Sequence, residues 1–242
     1  MSPQPRVAVF RPADERLERA KAVLSSLGVE CVADPMLELN PTGSQPREDA
    51  EYTVLTSKTG AELVAKTNWR PGGQLCAIGD PTADALEAAG YQVDIVPETF
   101  SSAGLVSRLV DEVAGERIEV ARSDHGSPVL LDGLESAGAY VHETVLYELT
   151  RPQKAGSSAE QAADGELDGA LFTSSLTVTH FCDAAADRGV RNAAIAGLNE
   201  GVVGAIGKPT AKTAREAGID VSVVPQSAEF EALARAVVSR LV

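Results

Sequence analysis

Short apolar runs alternate with amphipathic stretches along the whole chain. Arg6–Phe10 (RVAVF) reads as a strand covered on both faces, because such a strand is continuously apolar rather than alternating. Arg11-Pro12 breaks the run, and Asp14 is placed to cap a helix reaching Leu27. Leu17, Ala20 and Leu24, with the stem of Lys21, form one stripe of that helix. Gly28 closes it and Val29–Ala33 is the next strand. Further strands are predicted at Tyr52–Thr56, Leu75–Ile78, Gln92–Val96, Arg117–Ala121, Tyr140–Leu149, Leu167–Thr173, Val202–Ile206 and Asp220–Val224. Between them fall helices opened by Ser57, Pro81, Ser101 or Ser102, Ser127, the pair Ser174-Ser175, and Pro209. Asn192–Asn199 and Glu229–Leu241 are also helical in pattern. The Ser101 helix is expected to run to Val113. Met36–Asn40 alternates and reads as an extended connector. Pro41–Asp49 and Arg151–Glu166 are polar and rich in small residues, so both read as boundaries. Strands alternating with helices throughout predict an α/β fold with parallel sheets.

The pattern repeats. Ala77–Pro97 (AIGDPTADALEAAGYQVDIVP) and Ala205–Pro225 (AIGKPTAKTAREAGIDVSVVP) are identical at 11 of 21 aligned positions. Val54–Ser57 matches Leu171–Ser174, Phe10–Gly28 resembles Ala121–Gly138 with one gap, and Met36–Leu39 matches Leu146–Leu149. The chain therefore reads as arm A, arm B, arm A′, arm B′. Either A pairs with B and A′ with B′, or B and A′ are inserted inside A and B′; the repeat leaves both open. Gly28, Gly90, Gly138 and Gly218 sit where helices need a residue able to turn left-handed.

Composition narrows the function. The net charge is −14, from 35 acidic and 21 basic residues, and the basic residues are 15 Arg and 6 Lys. An acidic, Lys-poor surface suits a protein that stays soluble in concentrated salt, and a halophilic source is expected. It argues against nucleic acid as a partner. Cys31, Cys76 and Cys182 show no metal-ligand spacing, so they are expected as small buried hydrophobes in a reducing compartment. The opening residues, MSPQPRVAVFRP, and the rest of the chain lack an 18-residue apolar run. A soluble cytoplasmic protein is the expectation.

No GxGxxG follows a strand, and there is no Walker loop, GxSxG or HExxH. Two polar loops, Gly79-Asp80-Pro81-Thr82 and Gly207-Lys208-Pro209-Thr210, stand at helix starts, where free N–H groups and the positive dipole end favour anions. Thr56-Ser57 and Thr173-Ser174, with Ser175, end strands and begin helices at the sheet edge where ligands bind in parallel α/β folds. Residues that differ between the copies say more. Tyr147 stands where the first copy has Leu37, so its phenol is an addition to what the fold requires. A half-buried Tyr satisfied locally is the plainer account. Lys58 replaces Ser175 and Lys208 replaces Asp80, each in a candidate anion loop. Arg11 and Arg122 both follow strand ends and could meet a carboxylate of the protein or of a ligand.

From Val7 to Val238 the chain resembles the uroporphyrinogen-III synthase family. The resemblance is carried by VAVFRP, VLTSKTGAE, AIGDPTADALEAAG, ARSDHG with LLDGLESAGAYVHETVLYEL, ALFTSSLTVTHF and AIGKPTAKTAREAG, in this order and spacing. Lys58 and Thr59 depart from the polar residue the family often carries before Gly60. The resemblance implies two flavodoxin-like α/β domains with parallel sheets, joined by a two-stranded connector, with the active cleft between lobes and Tyr147 at its hinge side. The first domain would comprise residues 1–35 and 151–242, the second, inserted, residues 41–146, and the connectors 36–40 and 145–151. It also implies a hydro-lyase that closes linear hydroxymethylbilane into uroporphyrinogen III with ring D inverted, without a cofactor. Tyr147 would be the acid for the leaving hydroxyl. Arg11, Thr56, Ser57, Lys58, Gly79, Thr82, Arg122, Thr173, Ser174, Ser175, Gly207, Lys208 and Thr210 would bind the substrate carboxylates. The expected partners are that small molecule and, transiently, the preceding pathway enzyme, with no membrane, and the expected state is a monomer. At about 1 M salt the Debye length is ~3 Å, so a −14 protein can hold a polyanion. Two other readings are a two-lobed binding protein without activity, which would yield only the spontaneous ring isomer, and a flavin or nucleotide protein.

Overall fold

The computed structural model describes residues 3–241. Along the chain the elements are β1 (Arg6–Val9), α1 (Glu15–Ser26), β2 (Glu30–Ala33), β3 (Glu38–Pro41), β4 (Tyr52–Leu55), α2 (Lys58–Val64), β5 (Gln74–Ala77), α3 (Asp80–Ala88), α4 (Ser102–Leu109), β6 (Arg117–Ser123), α5 (Pro128–Ser136), β7 (Tyr140–Thr150), α6 (Ser157–Ala163), β8 (Gly169–Phe172), α7 (Ser175–Asp187), α8 (Arg191–Glu200), β9 (Val202–Ala205), α9 (Lys208–Glu216) and α10 (Phe230–Val238). The chain divides into two compact units, Met1–Glu38 with Thr150–Val242, and Leu39–Leu149.

The first unit is a four-stranded sheet in the order β2-β1-β8-β9, every pair parallel. Alternate residues face opposite layers. Ala8, Phe10, Ala170 and Phe172 pack on Phe181 of α7, Ala194 and Leu198 of α8, and Ala214 of α9. Phe10 stacks on Phe172 with ring centroids 4.6 Å apart. Val7, Val9 and Leu171 face Leu17 and Leu24 of α1 and Leu233 and Val237 of α10. Asp14 caps α1 by accepting from the Arg16 N–H at 2.8 Å.

The second unit orders its strands β3-β7-β6-β4-β5. The pairs β7-β6, β6-β4 and β4-β5 are parallel. Thr42 N–H donates to Leu146 O, and the Thr150 hydroxyl meets Glu38, so β3 and β7 run antiparallel. Val54, Cys76, Ile118 and Val120 pack under α4 and α5 through Leu105, Leu109, Leu130 and Leu134. Leu55, Leu75, Ala77 and Ala121 face Ala61, Val64, Ala83 and Leu86 of α2 and α3. The repeated arms hold equivalent places. β1-α1-β2 in one unit answers β6-α5-β7 in the other, and β8 and β9 answer β4 and β5. Each sheet thus joins an early arm to a late one.

Three expectations from the sequence change. Gln92–Val96 and Asp220–Val224 are not full strands; each makes one bridge, Cys76 to Ile95 and Gly204 to Val223. The helix opened by Ser101 ends at Leu109, short of Val113. The polar stretch Arg151–Glu166 contains α6. Gly156, at φ 112°, turns the chain into that helix with no side chain of its own to cap it. The cap comes from Asp34, which is 3% exposed. Its carboxylate accepts from Gly156 N–H at 2.9 Å and Ser158 N–H at 2.8 Å, and from the Ser158 hydroxyl. Gly28, Gly90, Gly138 and Gly218 do take left-handed φ, between 79° and 92°. The three cysteines are free. Burial pushes the Cys76 thiol up to about 12 and the Cys31 thiol up to about 11, which suits unreactive packing groups.

Candidate functional site

In each unit the candidate residues gather where the parallel strands end. In the second unit β4 runs out at Leu55, and Thr56 and Ser57 follow. Ser57 caps α2: its Oγ accepts from the Gly60 N–H at 3.0 Å. The same Oγ lies 2.9 Å from the Tyr147 hydroxyl. Tyr147, on β7, is 7% exposed, so its ring is core and its oxygen is delivered to the strand ends. A Cβ on Gly60 would come within 3.2 Å of Ser57 Oγ and 3.3 Å of Leu146, so the turn is closely packed around this pair. Lys58 is exposed, with Glu62 at 3.6 Å.

The neighbouring strand β5 leads to Gly79 and α3. Asp80 puts a carboxylate in the first turn, Pro81 has no N–H, and the Thr82 N–H is taken by Gly79 O at 3.0 Å. Thr82 is 3% exposed. Phe100, absent from the sequence reading, covers this turn. It is 54% exposed, and a Cβ on Gly79 would lie 2.8 Å from its ring. The sequence shows only a lone aromatic in a polar loop; its place on Gly79 is visible only in the fold.

In the first unit β1 leads to Arg11, whose guanidinium lies 4.9 Å over the Phe230 ring. Burial lowers the Arg11 pKa from its usual value, yet arginine stays charged at neutral pH. β8 leads to Thr173 and Ser174; Ser174 Oγ caps α7 by accepting from Thr177 N–H at 3.2 Å, and Ser175 is its first residue. β9 leads to Gly207, exposed Lys208 and buried Thr210 at α9. A cavity of about 520 Å³ opens beside this turn, lined by Gly207, Lys208, Arg215, Val224, Gln226 and Ala228 among others.

Of the two partners open to Arg122, the structure supplies a carboxylate of the protein: its side chain is 7% exposed and engaged inside the fold. Nε donates to Glu143 at 2.5 Å and an Nη donates to Ser127 O at 2.6 Å. Glu143 sits on the adjacent strand β7, so the pair ties two strands and a loop. Arg122 is the buried member and Glu143 the solvent-facing one, so removing Glu143 would leave the guanidinium buried without its carboxylate.

A larger cavity, about 720 Å³, lies at the other end of the second unit's strands, lined by Arg47, Glu51, Arg117, Glu119, Tyr140 and His142 among others. Arg117 is spent there on Asp49 and Glu51, and its hydrogen bonds hold the Glu51 carboxyl down to about 2. Glu119 is fully buried, with one oxygen 2.7 Å from His142 Nδ1 and the other without a protein partner. A lone Glu within the apolar run RIEVA was the sequence signal for it. Among the described residues no cluster of three or more His, Cys, Asp or Glu could hold a metal, and no helix is long and apolar enough to cross a membrane.

Parallel sheets flanked by helices, with hydroxyls, helix starts and one phenol at the strand ends, define an α/β protein whose polar residues gather at the sheet edge where such folds bind ligands. A family model described as uroporphyrinogen-III synthase HemD matches residues 18–235. The chain belongs to the uroporphyrinogen-III synthase family, lyases of tetrapyrrole and heme biosynthesis. A Methanothermobacter thermautotrophicus protein provisionally named a uroporphyrinogen-III synthase is 30% identical over 238 residues, covering 91% of this chain and 92% of its own length. The uroporphyrinogen-III synthase of Synechococcus elongatus is 29% identical over 235 residues, 89% of this chain and 88% of that one. A mutant uroporphyrinogen III synthase from Thermus thermophilus shares the fold, with a TM-score of 0.68 at 19% identity and 98% of both chains covered.

Proposed function

We propose that the chain closes hydroxymethylbilane into uroporphyrinogen III with Tyr147 as the acid. The observation that carries the assignment is a buried phenol brought to the strand ends, at a position where the repeat needs only an apolar side chain. The Tyr147 O–H protonates the hydroxymethyl oxygen as its C–O bond breaks, releasing water and leaving an azafulvenium delocalised over the pyrrole nitrogen. Ring D attacks through its substituted carbon to give a spiro centre, which reopens and recloses with the ring inverted. The proton lost on rearomatisation returns to the tyrosinate, so the sum is loss of one water. Beyond the acid, catalysis consists of holding the chain's two ends close.

Carboxylate contacts in this reading come from Thr56, Lys58, Gly79 and Thr82 of the second unit, and from Arg11, Thr173, Ser174, Ser175, Gly207, Lys208 and Thr210 of the first. The reading needs no cofactor. The strand orders β2-β1-β8-β9 and β7-β6-β4-β5 support two flavodoxin-like domains, residues 1–35 with 151–242 and residues 41–146, with 36–40 and 145–151 as connectors. We extend the proposal to a cytoplasmic monomer from a salt-adapted organism, meeting the preceding pathway enzyme only in passing. The test is isomer analysis of the porphyrin formed from fresh hydroxymethylbilane in concentrated salt. Isomer III is expected; isomer I alone, the spontaneous product, would sink the proposal.

A further inference from the structure

We infer that Ser57 is the positioning residue for Tyr147, aiming the phenol proton and holding the charge left when it departs. The inference rests on Tyr147 being the acid.

A serine hydroxyl has one proton and two lone pairs. At Ser57 one lone pair takes the Gly60 N–H. One proton and one lone pair remain, and the Tyr147 oxygen lies 2.9 Å away. Two arrangements fit that distance. If the phenol donates to Ser57, its proton is committed inside the protein. If Ser57 donates to the phenol oxygen, the phenol proton points elsewhere and can go to a leaving hydroxyl. Only the second arrangement lets Tyr147 act as an acid. Once the proton has gone, the same Ser57 O–H donates to the tyrosinate, a charge-assisted bond stronger than the one before transfer. A contact that strengthens as charge develops lowers the barrier.

The other unit shows that the cap alone does not require this couple. Ser174, the repeat counterpart of Ser57, makes the same cap to Thr177, and its further neighbour is the Thr177 hydroxyl at 3.4 Å. The counterpart of Tyr147 is Leu37, which has no oxygen to pair. The Ser–Tyr pair is therefore added to the fold in one unit only.

Five variants of the full chain test this, read by kcat, KM and melting temperature. Ser57→Thr keeps cap and donor, and should turn over within about threefold of the parent. Ser57→Ala loses both; kcat should fall about 10- to 100-fold, the worth of one hydrogen bond to a charged group, with KM little changed. Ser57→Asp caps α2 as well as Ser but has no proton to give. It should melt like the parent yet be as slow as Ser57→Ala, which separates the donor from the cap even if Ser57→Ala folds poorly. In a Tyr147→Phe background Ser57→Ala should change kcat less than twofold. The inference is overturned if Ser57→Asp keeps parental kcat, or if Ser57→Ala slows both backgrounds equally. If Tyr147→Phe itself turns over like the parent, the reading of Tyr147 as acid fails instead.

Discussion

The turns before α3 and α9 share a backbone, a Pro and a buried Thr, and differ in the first helical residue and in what covers the glycine. Both begin with an extended glycine, and their returning segments bridge the sheet in the same register, Cys76 to Ile95 and Gly204 to Val223. At α3 the first helical residue is Asp80, and Phe100 lies on Gly79. At α9 the first residue is Lys208, Ala228 takes the place of Phe100, and a cavity stands open. Gly79 is glycine because an aromatic ring presses on it. Nothing of the protein comes nearer to a Cβ on Gly207 than Pro209, at 3.8 Å. One copy has closed its turn with protein; the other has left room beside a cation. A duplicated fold thus keeps its hydrogen-bond frame and lets the side chains diverge.

The strongest way to break the comparison is at the other asymmetric pair. Tyr147→Phe should slow isomer III formation by about 10²–10⁴-fold without lowering the melting temperature. Leu37→Met at the matched position should leave the rate alone, a volume-conserving change costing under about 1.5 kcal/mol. A rate loss shared by both would make the phenol a packing feature.

Next come the glycines. Gly79→Ala should destabilise by about 1–3 kcal/mol through the clash with Phe100, measured by denaturant unfolding, and Phe100→Ala should relieve most of it. Gly207→Ala should unfold like the parent. If main-chain groups there meet substrate carboxylates, its KM should rise several-fold, because the new methyl keeps them apart.

Caps give a smaller effect. Ser101 caps α4 through Gly104 N–H, whereas Glu229, at the matched start of α10, makes no side-chain cap bond. Ser101→Ala should cost about 1 kcal/mol and Glu229→Ser should add stability up to a similar amount. Smallest is the charge contrast. Lys208→Gln should raise KM a few-fold in dilute buffer and hardly at all at about 1 M salt, where screening acts within ~3 Å. A difference that persists in salt would point to a desolvated Lys208 contact.

Much of this frame is legible in the sequence. The Asp14 cap, the left-handed glycines and the two matched turns follow from local chemistry, each signal lying within a few residues of its effect. Tyr147 stood out because a repeat supplies its own control. Other features depend on residues far apart in sequence. No local pattern announces α6, whose capping carboxylate is Asp34. Arg122 reads as a ligand cation until Glu143 is seen on the adjacent strand. Phe100 reads as one more loop residue until it is found resting on Gly79.

By itself the sequence determined the alternation of strands and helices, the internal duplication and the family, because periodicity, caps and order along the chain are local quantities. Tertiary structure alone decided that Asp34 caps α6, that Arg122 is engaged within the fold, and that the Tyr147 hydroxyl meets Ser57. Those outcomes turn on which polar groups come within about 3 Å of each other, and hydrogen bonding falls away too steeply with distance for chain order to foretell it.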